Sequence, residues 1–129
     1  MQKQESQGDG KKQDLRTRSK PFALQVIRIF SRLPKTPEAR ILGRQLLRSG
    51  TSVGAHYCEA KRARSDAEFV SKIEGGLQEL EETAYWLELL AESRIAPEAE
   101  LVDLQREADE LLSILVSCVK TVKNRKGRG

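Results

Sequence analysis

Apolar residues recur every three or four positions in four stretches of the chain, the spacing that places them on one side of an α-helix. The stretches cover residues 22–33, 37–62, 66–92 and 98–124. The alternation typical of a β-strand is absent, and the connections between the stretches are short. The pattern therefore predicts an all-α protein built as an antiparallel up-down-up-down four-helix bundle.

Helix start and stop signals support these boundaries. Pro34 ends the first stretch, because the residue before a proline avoids the helical region. Thr36 and Pro37 then provide an N-cap and a first-turn proline for the second helix. Ser65 stands three residues before Glu68, the spacing of a capping box. This spacing predicts that the Ser65 hydroxyl accepts from the Glu68 amide, and that the Glu68 carboxylate accepts from the Ser65 amide.

Glycines interrupt the helical pattern at positions 43, 50, 54, 75 and 76. A glycine in a helix interior costs about 1 kcal/mol relative to alanine. The glycines indicate either close helix contacts that leave no room for a Cβ atom or a kink near residues 49–52. We favour close contacts.

One segment is apolar on more sides than a single bundle needs. Trp86 and Leu89 point away from the apolar stripe of the third helix, and the apolar side of the first helix covers nearly half its circumference. A second subunit is the simplest cover for such surface. The sequence therefore predicts a homo-oligomer whose interface includes Phe30, Trp86 and Leu89.

Charge is distributed unevenly along the 129 residues, whose net charge is +4. Residues 1–19 are polar and predict a disordered basic tail, residues 20–124 the four-helix bundle, and residues 125–129 a basic C-terminal tail. The helical body itself is mildly acidic. Such basic ends are typical both of solubilising tails and of segments that bind nucleic acid.

Basic residues that could contact RNA or DNA fall on the outer side of the second helix, at the following turn and at the C-terminus. They are Arg40, Arg44, Arg48, Lys61, Arg62, Arg64, Lys123, Arg125, Lys126 and Arg128. The same side chains also fit a solvated surface, or ion pairs with the acidic row of the third helix.

The residues needed for common catalytic and metal sites are missing. His56 is the only histidine, which excludes sites with several histidine ligands. A phosphate-binding glycine loop, a nucleophile elbow and a Glu-x-x-His motif are also absent. We predict no enzymatic activity, no catalytic residues, no metal and no cofactor, and we read His56 as structural. The chain has no apolar run of the roughly 18 residues that a membrane span needs, which predicts a cytoplasmic protein without membrane contact.

The run from residue 42 to residue 90 resembles bacterial four-helix-bundle proteins found in intervening sequences of 23S ribosomal RNA genes. With its flanking helices the resemblance covers roughly residues 22–123. The matching positions are Arg48-Ser49, Thr51-Ser52-Val53, Glu59-Ala60, Ala63-Arg64-Ser65, Phe69 with Lys72, and Glu82-Thr83 with Trp86-Leu87. Position 56 departs from the pattern, because the family usually has Asn there.

The resemblance implies a cytoplasmic bundle that assembles as a ring, typically a homopentamer. The chain is also similar to the accessory protein of diversity-generating retroelements, which binds nucleic acid and a reverse transcriptase. Two functions therefore stay open: a nucleic-acid-binding accessory protein, and a scaffold that binds a protein partner. A contiguous basic surface would favour the first, and arginines paired with glutamates the second.

Overall fold

The computed structural model consists of four α-helices: α1 (Gln2–Arg32), α2 (Pro37–Lys61), α3 (Asp66–Glu92) and α4 (Glu98–Arg128). It describes the backbone of residues 2–128 and the side chains of residues 15–125. Within residues 2–128 there is no β-strand. The predicted all-α bundle is confirmed.

Each helix packs against the next one in the chain, and α1 also contacts α4. Contacts between α2 and α3 pair Ser49 with Thr83 and Glu59 with Lys72. As one position advances along α2, its partner recedes along α3, so the two helices are antiparallel. The core between the four helices is dominated by leucine, including fully buried Leu46, Leu80 and Leu111.

The packed part of α1 begins earlier than the predicted boundary at residue 20. Leu15 is 1% exposed and Ser19 is 5% exposed, so residues 15–19 belong to the bundle. The sequence pattern assigns them to the tail because a single leucine among polar residues gives a weak periodic signal. The predicted disorder of residues 1–14 concerns residues whose side chains lie outside the described part of the chain.

The helix caps follow the sequence signals with one difference. The Thr36 hydroxyl accepts from the Ala39 amide at 3.3 Å, and the Ser65 hydroxyl accepts from the Glu68 amide at 3.1 Å. The Glu68 carboxylate, however, accepts from the amide of Arg64 at 3.0 Å rather than from that of Ser65. It thus binds one residue further back than a capping box predicts.

Glycines allow α1 to approach α2 closely. A Cβ atom on Gly43 would lie 2.8 Å from a methyl carbon of Leu33, and one on Gly50 would lie 2.8 Å from a methyl carbon of Val26. Both distances are far below van der Waals contact. α2 is one continuous helix through residues 49–52. The structure therefore agrees with close contacts as the reason for these glycines.

Candidate nucleic-acid interface

The predicted basic residues fall into two groups that lie far apart. Arg40, Arg44 and Arg48 occupy the outer side of α2, towards its N-terminus. Lys61, Arg62 and Arg64 lie at the turn between α2 and α3. At 1.5 Å per residue, Arg40 and Arg62 are separated by roughly 33 Å along the helix. The two groups therefore form separate surfaces.

Arg48 is bound to acidic residues of α3. Its guanidinium donates to Glu82 at 2.7 Å and to Glu79 at 3.3 Å. Glu79 also approaches Nε2 of His56, at 3.9 Å. The positive charge of Arg48 is thus largely offset within the bundle. Arg40 and Arg44 are exposed, and neither forms an ion pair with another described residue.

The C-terminal part of α4 reaches the turn between α2 and α3. Lys123 pairs with Glu74 and Arg125 pairs with Asp66, each at 3.4 Å. All four side chains are well exposed, and such pairs contribute only about 0.2–1 kcal/mol. A phosphate group can compete with partners held this weakly. The predicted site residues Lys126 and Arg128 lie outside the described side chains.

Two residues outside the predicted set lie near the same turn. A Cβ atom on Gly54 would lie 3.0 Å from the hydroxyl of Ser19, so Arg16, one turn earlier on α1, lies beside the last turns of α2. Burial raises the pKa of Tyr57 there, the nearby Cys118 adds to this, and the charge of Arg16 acts in the opposite direction. Lys120 lies one turn before Lys123 on α4. The spacing of Leu15, Ser19 and Phe22 continues the helical period of α1 and was the signal that could have placed Arg16 in the bundle.

Five exposed cations lie at this extremity of the bundle, and we call this set the basic end. It consists of Arg16, Lys61, Arg62, Arg64 and Lys120. None of the five forms an ion pair with a described residue, whereas Arg48, Lys123 and Arg125 do.

The residues predicted at an oligomer interface lie partly inside the bundle. Phe30 and Trp86 are half-buried and pack against the core, and Leu89 is also half-buried. The ring of Trp86 meets that of Tyr85 with centroids 5.3 Å apart. Large apolar side chains are more exposed at neighbouring positions, including Ile41 at 62% and Tyr85 at 53%.

His56 lies in the groove between α2 and α3. A Cβ atom on Gly75 would lie 2.9 Å from both Cε1 and Nδ1 of the imidazole. Nδ1 is buried and has no hydrogen-bond partner within the described part of the chain. Across residues 15–125 no cluster of three or more His, Cys, Asp or Glu side chains could hold a metal ion.

A bidentate ion pair joins α1 to α4. Arg18 donates to the two carboxylate oxygens of Glu107 at 2.8 and 2.7 Å and also contacts Glu110. The hydrogen bond to Glu107, followed by that to Glu110, raises the pKa of Arg18 further above its ordinary value. We call this group the Arg18 clasp. Over the described residues, none of the helices is long and apolar enough to cross a membrane.

Comparison with known proteins agrees with this architecture. The family described as 23S rRNA-intervening sequence protein matches residues 11–117. A crystal structure from Bacteroides thetaiotaomicron, of a protein with unknown function from the S23 ribosomal protein family, is similar with a TM-score of 0.80 and 32% sequence identity. The similarity covers 85% of this chain and 98% of that one. Among curated proteins, none matches the chain.

Proposed function

The chain belongs to the 23S rRNA-intervening sequence protein family, and we propose that it is a non-enzymatic protein that binds nucleic acid through exposed basic side chains. The observation that supports this most directly is the basic end. Five exposed cations gather there without an ion-pair partner among the described residues, although the body of the chain is rich in glutamate. A phosphate gains more free energy by binding an unpaired cation than by binding a cation that already pairs with a carboxylate.

Binding of this kind depends on phosphates and carries little sequence information. Specific base recognition needs side chains that enter a groove and hydrogen-bond to base edges. The five cations of the basic end are arginine and lysine, whose charges bind phosphate whatever the base sequence. We therefore expect similar affinity for different sequences of the same length.

The proposal includes assembly into a homo-oligomer, with a pentameric ring as the expected form. Exposed Ile41 and Tyr85, together with half-buried Trp86 and Leu89, supply apolar surface that a second copy would cover. A ring repeats the basic end once per subunit, and several weak sites acting together raise the apparent affinity. The protein partner of such a ring, a reverse transcriptase or another protein, would add to this nucleic-acid contact.

A titration at several salt concentrations tests the proposal. Fluorescence anisotropy of a labelled 20-base-pair duplex should show binding at low salt that weakens as salt is added. Each phosphate contact on duplex DNA contributes about −0.9 to the slope of log affinity against log salt, so five contacts give about −4.5 per subunit engaged. Two unrelated sequences of equal length should give the same affinity within about threefold, because phosphate contacts do not read bases.

The alternative is a scaffold that binds only a protein partner. The pairing of Arg48 with Glu79 and Glu82 favours it, since that surface arginine already pairs with glutamates of its own chain. Absence of binding to DNA and to RNA at low salt would contradict nucleic-acid binding and leave the scaffold as the function.

A further inference from the structure

We infer that the basic end is the nucleic-acid site, that the outer side of α2 is not, and that the ligand is the phosphate backbone of a duplex. This inference rests on the proposed function and makes it more specific. Of the predicted basic residues, Arg40, Arg44 and Arg48 are excluded from the site. Arg16 and Lys120 are added to it.

Separate segments of the chain converge on one extremity of the bundle. Lys61 ends α2, Arg62 and Arg64 lie in the turn, and the Arg125–Asp66 ion pair brings the C-terminal part of α4 to the start of α3. A Cβ atom on Gly54 would lie 3.0 Å from the hydroxyl of Ser19, which places this part of α1, including Arg16 one turn earlier, beside the last turns of α2. Cations from three helices and a turn therefore share one surface.

The two ends of the bundle also differ in their balance of charge. Around the basic end, Arg16 with residues 57–74 and 118–125 carries eight basic and four acidic side chains. Around the opposite end, residues 32–40 and 88–103 carry four basic and six acidic side chains. The field of the whole molecule thus attracts a polyanion to one end and repels it from the other.

The outer side of α2 is a poorer phosphate surface for two reasons. Arg48 is held by Glu79 and Glu82, which leaves Arg40 and Arg44 as its exposed cations. Those two also lie towards the more acidic end, beside the exposed side chain of Ile41. An apolar side chain between the arginines fits a protein contact better than a polyphosphate.

The absence of an aromatic platform at the basic end selects the duplex over the single strand. Proteins that bind single strands stack bases on exposed aromatic rings, with about 1–3 kcal/mol per base. Near the basic end, Tyr57 is 4% exposed and Phe69 packs against the core. The exposed Tyr85 is roughly 30 Å further along α3 at 1.5 Å per residue. Only the charge of the backbone is recognised here, and a duplex presents phosphates at twice the density of one strand.

Two double variants of equal charge test the location. Arg62→Gln/Arg64→Gln removes two cations from the basic end, and Arg40→Gln/Arg44→Gln removes two from the outer side of α2. All four side chains are exposed and without ion pairs among the described residues, so neither variant should perturb the fold. Circular dichroism and light scattering would verify that fold and oligomeric state are unchanged. The probes are a 20-base-pair DNA duplex, the RNA duplex of the same sequence and the corresponding single strands.

We expect Arg62→Gln/Arg64→Gln to weaken duplex binding and to make the salt slope shallower by about 1.8, or two lost phosphate contacts. Arg40→Gln/Arg44→Gln should leave the slope unchanged, and both duplexes should bind more tightly than the single strands. Equal losses in the two variants, a larger loss in the α2 variant, or tighter binding of single strands would each overturn the inference. Wild-type protein that binds none of the probes would instead contradict the proposed function itself.

Discussion

The imidazole of His56 occupies space that exists because residue 75 has no side chain. The ring atoms Cε1 and Nδ1 lie 2.9 Å from the position of a Cβ atom on Gly75, and the Cβ atom of His56 lies 3.3 Å from that on Gly76. A histidine ring is rigid, so it cannot fold away from an added methyl group as a lysine would. The side chain at 56 and the glycine at 75 are therefore coupled, although they are 19 positions apart in the chain.

A double-mutant cycle measures this coupling. Gly75→Ala should destabilise the wild-type protein by about 1 kcal/mol, because overpacking costs roughly 1–3 kcal/mol and the better helix propensity of alanine returns about 1. In a His56→Ala background the methyl group meets no ring, and Gly75→Ala should stabilise the protein by about 1 kcal/mol. Urea unfolding of the four proteins gives the coupling energy. The same sign in both backgrounds would show that the ring does not depend on Gly75.

At the scale of the helices, local sequence signals predict where a helix begins but not which residues far apart in the chain come into contact. Ser65 and Glu68 are three residues apart, and their spacing alone was enough to locate the start of α3. The pairing of Arg18 with Glu107 spans 89 positions, and only the packing of α1 on α4 brings the two together. The partners of Arg48 likewise depend on the register between α2 and α3, which the apolar stripes alone do not determine.

At the C-terminus of α3 the left-handed position is occupied by an arginine and not by a glycine. Arg94 has a φ of 61°, in the left-handed region. The amide of Ile95 donates to the carbonyl of Leu90 at 3.1 Å, and that of Arg94 donates to Ala91 at 3.1 Å. These are the two hydrogen bonds of a Schellman motif, in which glycine is the usual left-handed residue. No glycine marks this helix end in the sequence.

Arg94→Gly should therefore stabilise the protein by about 1 kcal/mol, because the left-handed conformation costs a residue with a Cβ atom about 1–2 kcal/mol. Ser93→Gly provides the matched control one residue earlier, where φ is −81°. There glycine relieves no strain and adds flexibility to the unfolded chain, so the control should be neutral or destabilising. Thermal unfolding of both variants tests the expectation, and a loss of stability in Arg94→Gly would contradict it.

At the scale of the whole molecule, apolar and basic surfaces occupy different places. Ser49 pairs with Thr83 and the helices are antiparallel, so Ile41 of α2 lies near the level of Leu89 of α3, with Tyr85 one turn before Leu89. The basic end lies at the other extremity of the same two helices. An assembly formed through the apolar surface would thus leave the basic ends accessible.

Ile41→Glu should dissociate the oligomer and leave helical circular dichroism intact, because Ile41 is 62% exposed in a single bundle. Trp86→Glu should also lower stability, because Trp86 packs against the core of its own chain. Val102→Glu on α4, whose side chain is 39% exposed, is a matched control and should not change the mass. Light scattering at micromolar concentration tests these expectations, and a monomeric wild type would contradict assembly.

The Arg18 clasp has a consequence for the order in which the molecule closes and opens. It joins residues 89 apart in the chain, whereas contacts such as that of His56 with Gly75 lie within one hairpin. The entropy lost in closing a loop rises with its length, so we expect the α2–α3 hairpin to form early and α1 to dock on α4 late. By the same argument the contact between α1 and α4 should open first. The backbone amides of residues at this contact should then exchange with solvent faster than those of residues at the α2–α3 contact.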